Sequence, residues 1–330
     1  MLNLSCDYIS CLINNLFCRN LIIFIYSIIF FLSNYFSLPG GPSFDAPVHF
    51  IQLDVGKAGV WAVSDSNYVY YKVGSYNNTK PDMTSSWQRV PGHYLNWVAS
   101  GTDVILGITT ENTVVYRSGI NAANPVGNAW IDFGDRPLSQ IYIHDSGSSQ
   151  TVAGRDRDNE IYYSEFAFPP NGWNQLNQFK GTSMSLGQDK VWGLKHNSNQ
   201  LSSYEWGASQ VEFDDSGRDD FVGLSVAPDE DTIWVVDQHW NILRGSGADA
   251  SSLQWNNITT TVLWSHVATG YAGRMWALDT SGYAYQWDGN SFKRDLGNTW
   301  YACNSHFVHY AVTSYKSSIW GVYRGGELVE

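Results

Sequence analysis

One short phrase recurs down this chain at a nearly fixed step. It reads Val60-Trp61-Ala62-Val63, then Val191-Trp192-Gly193-Leu194, Ile233-Trp234-Val235-Val236, Met275-Trp276-Ala277-Leu278 and Ile319-Trp320-Gly321-Val322. A second apolar or aromatic group follows each: Val69-Tyr70-Tyr71, Leu201 to Tyr204, Ile242-Leu243, Tyr283-Ala284-Tyr285 and Leu328-Val329. Two weaker copies, Val104-Ile105-Leu106-Gly107 and Thr151-Val152-Ala153-Gly154, fill the gap between the first and second phrases. The Trp or its equivalent stands at 61, 106, 153, 192, 234, 276 and 320, a mean step of about 43 residues. Short β segments at this period mark a propeller or a related array, because one unit alone cannot bury its apolar faces.

The fullest copy spans residues 48–92 and reads as four short antiparallel strands. Val48 to Leu53 opens it, Gly59 to Ser64 carries the phrase, Tyr68 to Val73 follows an Asp65-Ser66-Asn67 turn, and Trp87 to Gly92 ends it. Asp, Ser and Asn suit that turn because their short side chains cap their own backbone. The phrase is apolar throughout, as expected of a strand covered on both faces. Its Trp is expected to fill the wedge between adjacent sheets. The small residue after it is expected to keep the other face thin near the axis. Leu106 and Ala153 occupy the Trp slot in copies two and three, so those sheets need looser packing or help from Tyr142 and Tyr162. The fourth strand repeats as Trp87, Trp130, Trp173 and Trp255, each opening a short run. The last unit lacks one, and Ser43-Phe44-Asp45-Ala46-Pro47 resembles Ser291-Phe292-Lys293-Arg294-Asp295. The expectation is therefore an all-β, seven-bladed propeller of four-stranded antiparallel blades, closed by an N-terminal strand, with six blades as the runner-up.

Val-Trp-Ala-Val, a polar turn, Val-Tyr-Tyr-Lys and the ending Trp87-Gln88-Arg89-Val90-Pro91-Gly92 resemble the tectonin repeat. The resemblance covers residues 48–330 and is strongest at copies one, four and six. It departs from the family in showing seven phrases and a longer step. The resemblance implies a multivalent, non-catalytic lectin of innate defence that recognises microbial or egg-surface glycans. Two other readings stay open: a propeller scaffold for protein–protein interaction, and a divergent glycosidase.

Composition narrows the partners. A net charge of −12 argues against a nucleic-acid backbone, which needs clustered Lys and Arg. An aromatic content of 15% against 15% charged residues suits half-buried strands rather than disorder. Leu21 to Leu32 forms an apolar run of signal-peptide size after Arg19, short for a bilayer span. Residues 1–40 read as a signal-like segment, with a retained type II anchor as the alternative, and residues 42–330 as the propeller. A membrane is met only through that segment if it is retained. The expected location is extracellular, with an anchored or cytoplasmic protein as the alternative. Three of the four cysteines, Cys6, Cys11 and Cys18, lie in the leader, so the body, with Cys303 alone, rests on packing rather than disulfides.

No nucleophile elbow, P-loop, dinucleotide fingerprint or zinc-protease motif is present. His306 and His309, three apart on one strand, would point to opposite faces and share no metal. Arg155 to Glu160 has the look of a calcium loop but lacks its glycine and spacing; no cofactor is expected, calcium being the one ion left open. Sugars bind by stacking an apolar face on an aromatic ring while polar side chains bond the hydroxyls. Aromatics on turns are the candidates: Tyr68 with Asp65 and Asn67, Trp240 with Asp237 and His239, and Tyr283 with Asp279.

Overall fold

The computed structural model describes residues 48–78, 85–145, 150–165, 172–187, 190–205, 214–227, 232–258, 261–270, 275–287, 300–307, 309–312, 319–322 and 328–329. They form antiparallel meanders in chain order. The first sheet holds β1 (Phe50–Gly56), β2 (Gly59–Ser64), β3 (Val69–Lys72) and β4 (Trp87–Val90). The second holds β5 (Leu95–Ser100), β6 (Ile105–Thr109), β7 (Val114–Arg117) and β8 (Trp130–Asp132). A seven-stranded sheet follows: β9 (Gln140–Asp145), β10 (Gln150–Arg155), β11 (Glu160–Glu165), β12 (Asn174–Leu186), β13 (Lys190–Lys195), β14 (Leu201–Glu205) and β15 (Asp214–Asp215). Two more four-stranded sheets are β16 (Phe221–Val226) to β19 (Gln254–Ile258), through β17 (Thr232–Asp237) and β18 (Ile242–Ser246), and β20 (Trp264–Thr269) to β23 (Trp300–His306), through β21 (Met275–Asp279) and β22 (Tyr283–Trp287). The last has three strands: β24 (His309–Val312), β25 (Ile319–Val322) and β26 (Leu328–Val329).

The fold is an all-β propeller, but not the expected set of seven separate four-stranded blades, nor of six. Four sheets stand as separate four-stranded units beside one of seven strands and one of three. The cause lies in β12. Its first half pairs with β11 (Tyr162 opposite Gln175, Tyr163 opposite Asn174), and its second half pairs with β13 (Gly181 opposite Lys195, Leu186 opposite Val191). The chain runs on through Phe179-Lys180 as one strand where other repeats turn. The proposed closing strand at residues 43–47, its likeness at 291–295 and the leader lie outside the described residues. Among those described, the last sheet meets the first by packing: Trp320 and Val322 cluster with Phe50, Leu53 and Val55.

All seven phrases lie on the second strand of their repeat: β2, β6, β10, β13, β17, β21 and β25. The Trp side chains wedge against the following sheet as expected. Trp61 meets Leu95, Val98 and Ile105; Trp192 meets Phe221 and Leu224; Trp234 meets Trp264 and Met275; Trp276 meets Phe307 and Ile319. Leu106 is helped by Tyr162 and Phe133, and Ala153 by Phe179 with Tyr142. The small residue after the Trp has a different reason from the one expected. A Cβ at Gly107 would stand 2.4 Å from Leu95 Cδ1, at Gly193 2.6 Å from Phe179 Cζ, and at Gly321 2.1 Å from Phe307 Cδ1. The space belongs to a large side chain at the start of the same repeat, not to crowding at the axis.

The first strand of each repeat has a free margin whose N–H and C=O groups need partners. The preceding repeat supplies them with side chains. Gln52 Nε2 donates to the Val98 carbonyl and its Oε1 accepts from the Val98 N–H, both at 2.9 Å. Asp54 Oδ2 accepts from the Ser100 N–H at 2.8 Å. Trp97 Nε1 donates to the Ile141 carbonyl at 2.9 Å. Ser185 Oγ accepts from Val226 N–H and Ser225 Oγ from Thr269 N–H, both at 3.0 Å. His309 Nε2 lies 3.3 Å from the Leu53 carbonyl, which carries the pattern across the seam between last and first sheets. Burial pushes the Asp54 carboxyl up to about 6 against these amide bonds.

Candidate functional site

Five of the turns between second and third strands share one geometry; the turn after β13 departs, with Lys195 at its head taking the Asn199 N–H on its backbone carbonyl at 2.9 Å. A short polar residue heads each of the five: Ser64, Thr109, Asp156, Asp237 and Asp279. Its side-chain oxygen accepts the N–H four residues on, at 3.2 Å from Tyr68, 3.2 Å from Thr113, and 2.9 Å from each of Glu160, Asn241 and Tyr283. The residue between is left-handed, with φ of 63° at Asn67, 69° at Asn112, 64° at Asn159, 64° at Trp240 and 92° at Gly282. Its carbonyl then accepts an N–H from the next repeat: Leu95, Leu138, Gly181, Trp264 and Phe307 donate at 2.8–3.0 Å. Each of these turns is therefore fixed to its own sheet and to its neighbour, and together they make a rigid rim.

The predicted residues divide on this geometry. Asp65 does not head its turn; Ser64 does, and Asp65 is exposed with the Ser66 hydroxyl on its Oδ1 at 3.0 Å. Asn67 spends its side-chain amide on the Leu95 carbonyl and Asn96 Oδ1. Tyr68 is half-buried, with the Arg89 guanidinium 3.5 Å from its ring centroid and Tyr94 at 5.2 Å. Asp237 is buried and caps His239 and Asn241. Asp279 caps Ser281 and Tyr283. These two carboxylates build the turn rather than offer themselves to a ligand. His239 donates its backbone N–H to Asp237, and its side chain is exposed. Trp240 is 41% exposed and Tyr283 48%. Trp240 occupies the left-handed position, one residue before the place held by Tyr68 and Tyr283, so the three aromatics are not equivalent. His306 ends β23 and stacks edge-on to Tyr283 at 5.3 Å, whereas His309 begins β24; the pair does not share a strand. Asp156 caps Asp158 and Glu160, which makes the calcium-like segment another such turn.

Sequence reasoning missed the other half of each junction. The residue just before the turn's partner also faces the rim: Tyr94 before Leu95 (51% exposed), Leu263 before Trp264 (52%) and His306 before Phe307. A hydrogen bond with Tyr68 pushes the Tyr94 hydroxyl up from its ordinary value. The missed signal was positional, one residue before the first apolar residue of each repeat. A groove of about 170 Å³ lies at the junction of the second and third repeats, lined by Asn112, Arg136, Pro137, Leu138, Asp156, Arg157 and Asp158. Among the described residues no group of three or more His, Cys, Asp or Glu is placed to hold a metal ion.

Comparison with known proteins agrees with the repeat reading. The chain is 24% identical over 247 residues to the perivitellin-2 31 kDa subunit of Pomacea maculata, covering 71% of this chain and 82% of that one. Among solved structures it resembles the Pan2 WD40 domain of Neurospora crassa (TM-score 0.58, 10% identity, 88% and 90% of the two chains). It also resembles the β-propeller domain of Cps50 (Swd1) from Myceliophteria thermophila (0.58, 10%, 86% and 96%) and Prp20p from Saccharomyces cerevisiae (0.57, 11%, 82% and 81%). At such identities these likenesses speak for the fold alone. Residues 41–145 match the family model described as the Tectonin domain, whose repeat the recurring phrase resembles.

Proposed function

We propose that this protein is a non-catalytic, carbohydrate-binding propeller, a lectin that recognises microbial or egg-surface glycans with its rim of turns. The carrying observation is the set of exposed rings on rigid junctions: Tyr94, Trp240 and Tyr283. Trp240 adds weight. The equivalent positions hold Asn or Gly, and a Trp in left-handed backbone costs roughly 1–2 kcal/mol. A bulky ring kept exposed at such a cost fits a surface used for stacking. Several weak sites on one rigid ring would give avidity to a repetitive surface. The match to the Tectonin domain supports the reading, and the apolar run at residues 21–32 is the reason to propose export. A glycan array tests it. Wild-type protein is expected to bind, and Trp240→Ala with Tyr283→Ala is expected to abolish binding without unfolding the chain. Silence of the wild type on every glycan would overturn the proposal.

One observation favours a protein-binding scaffold as the second reading. Trp240 and Leu263 are both exposed at one junction, where Trp264 N–H bonds the Trp240 carbonyl and Thr280 N–H the Leu263 carbonyl. Paired exposed apolar side chains suit a protein partner. Prp20p, described with its binding to Gsp1p and histones, shares the fold at 11% identity. Recovery of one stoichiometric protein partner, lost on Leu263→Asp, would favour this reading over the first.

A further inference from the structure

We propose that the groove between the second and third repeats takes a sugar bearing a carboxylate. The proposal rests on the sugar-binding reading above and names the ligand class of one site. The groove offers about 170 Å³ to a ligand, less than the roughly 300 Å³ at which drug-sized sites begin, so it would seat a single sugar unit. Its two walls come from different repeats. Asn112 is the left-handed residue of one turn, and Arg157 belongs to the next; Arg157 Nη2 donates to Asn112 Oδ1 at 3.1 Å and ties the walls together. Arg136 lies with its guanidinium 4.5 Å from the Tyr162 ring centroid, so its plane is held by a ring. Its Nε is buried and has no hydrogen-bond partner.

Two acidic side chains line the groove beside these cations, and they differ in what they face. Asp156 Oδ1 accepts two backbone N–H groups, from Asp158 and Glu160 at 2.9 Å, and so is bound into its own turn. Asp158 is exposed and is the one remaining carboxylate of the lining. Neither Arg136 nor Arg157 takes part in an ion pair among the described residues. Two guanidinium groups thus share the groove with two carboxylates, of which Asp156 is bound into its own turn; the lining is balanced in charge, and selectivity would come from the guanidinium forks rather than from a positive field. Arginine's planar fork matches the two oxygens of a carboxylate. Pro137 and Leu138 supply an apolar wall for the ring that carries it. A sulfate ester shares the charge but is tetrahedral, and the test separates the two.

The test is titration calorimetry on the full chain with trigalacturonate, its neutral methyl ester and a sulfated galactose trisaccharide. The acid is expected to bind about tenfold more tightly than the ester, a difference of one charge-assisted contact. Arg136→Gln and Arg157→Gln are each expected to erase that preference. Arg136→Lys, which keeps a cation over Tyr162 but loses the fork, is expected to erase it too while the thermal midpoint stays unchanged. Equal affinity for acid and ester, survival of the preference in both Gln variants, or tighter binding of the sulfated sugar would overturn the carboxylate assignment. If all three sugars fail while neutral glycans bind through Trp240 and Tyr283, the groove proposal falls and the lectin reading stands. If no glycan of any kind binds, both fall.

Discussion

Replacing Asp54 by Asn should stabilise the protein near neutral pH and do almost nothing in acid. Asp54 accepts the Ser100 N–H at 2.8 Å across two sheets. Protein surrounds it, and burial lifts its carboxyl from 3.8 to about 6 despite the amide bonds that favour the anion. A folded-state value above the unfolded one means that the native protein holds the proton more tightly. Asp54 therefore carries no penalty below about pH 4, loses stability as the pH climbs from 4 to 6, and carries a constant penalty above that. The full rise corresponds to about 3 kcal/mol; partial access of water lowers the expected figure to about 1–3 kcal/mol. Asn keeps an oxygen for the Ser100 N–H and never ionises. Urea unfolding of wild type and Asp54→Asn at pH 4, 5, 6, 7 and 8 measures the difference directly. The variant should gain steadily between pH 4 and 6 and then level off. A difference that stays flat across this range, or a variant less stable at pH 8, would refute the reasoning.

Other outcomes follow from the packing. Gln52→Leu leaves the buried Val98 N–H and carbonyl without their side-chain partners and should cost about 2–4 kcal/mol, with faster hydrogen exchange at the Val98 amide. Trp192→Ala, at a side chain with no exposure, should cost about 3–5 kcal/mol in chemical unfolding. Gly321→Ala places a Cβ 2.1 Å from the Phe307 ring and should cost about 1–3 kcal/mol, visible as a lowered thermal midpoint.

The repeat was legible because its apolar strands are buried on both faces and so differ sharply from the polar turns between them. The wedge role of Trp61, Trp192, Trp234, Trp276 and Trp320 followed from that pattern alone. The long β12 was not legible, since nothing in Phe179-Lys180-Gly181 distinguishes a strand that continues from one that stops for a short loop. The turn at residues 64–68 was misread by one place because Ser64 and Asp65 can both cap, and only the fold shows that Ser64 Oγ holds the Tyr68 amide. Tyr94, Arg136 and Leu263 escaped notice because their meaning depends on the neighbouring repeat, roughly forty residues away in sequence and adjacent only in space. The residues that seal the inner margins were invisible for a related reason. Ser185 and Ser225 share one position, opposite the phrase Trp, but Gln52, Trp97 and His309 have little in common with them beyond reach and polarity.

That variety gives the ring an order. Gln52 answers both a donor and an acceptor, Trp97 only an acceptor, and Ser185 and Ser225 each an amide donor. The seams at Gln52 and Trp97 differ from each other and from the later ones, so those sheets are not interchangeable with them, whereas the Ser185 and Ser225 seams are alike. Shuffling unlike sheets would preserve the greasy surfaces yet leave peptide groups facing side chains of the wrong length or polarity. His309 meets the Leu53 carbonyl across the seam joining the last sheet to the first, so a side-chain contact of the same kind spans it. The order in which unlike sheets follow one another is thus written into their edges.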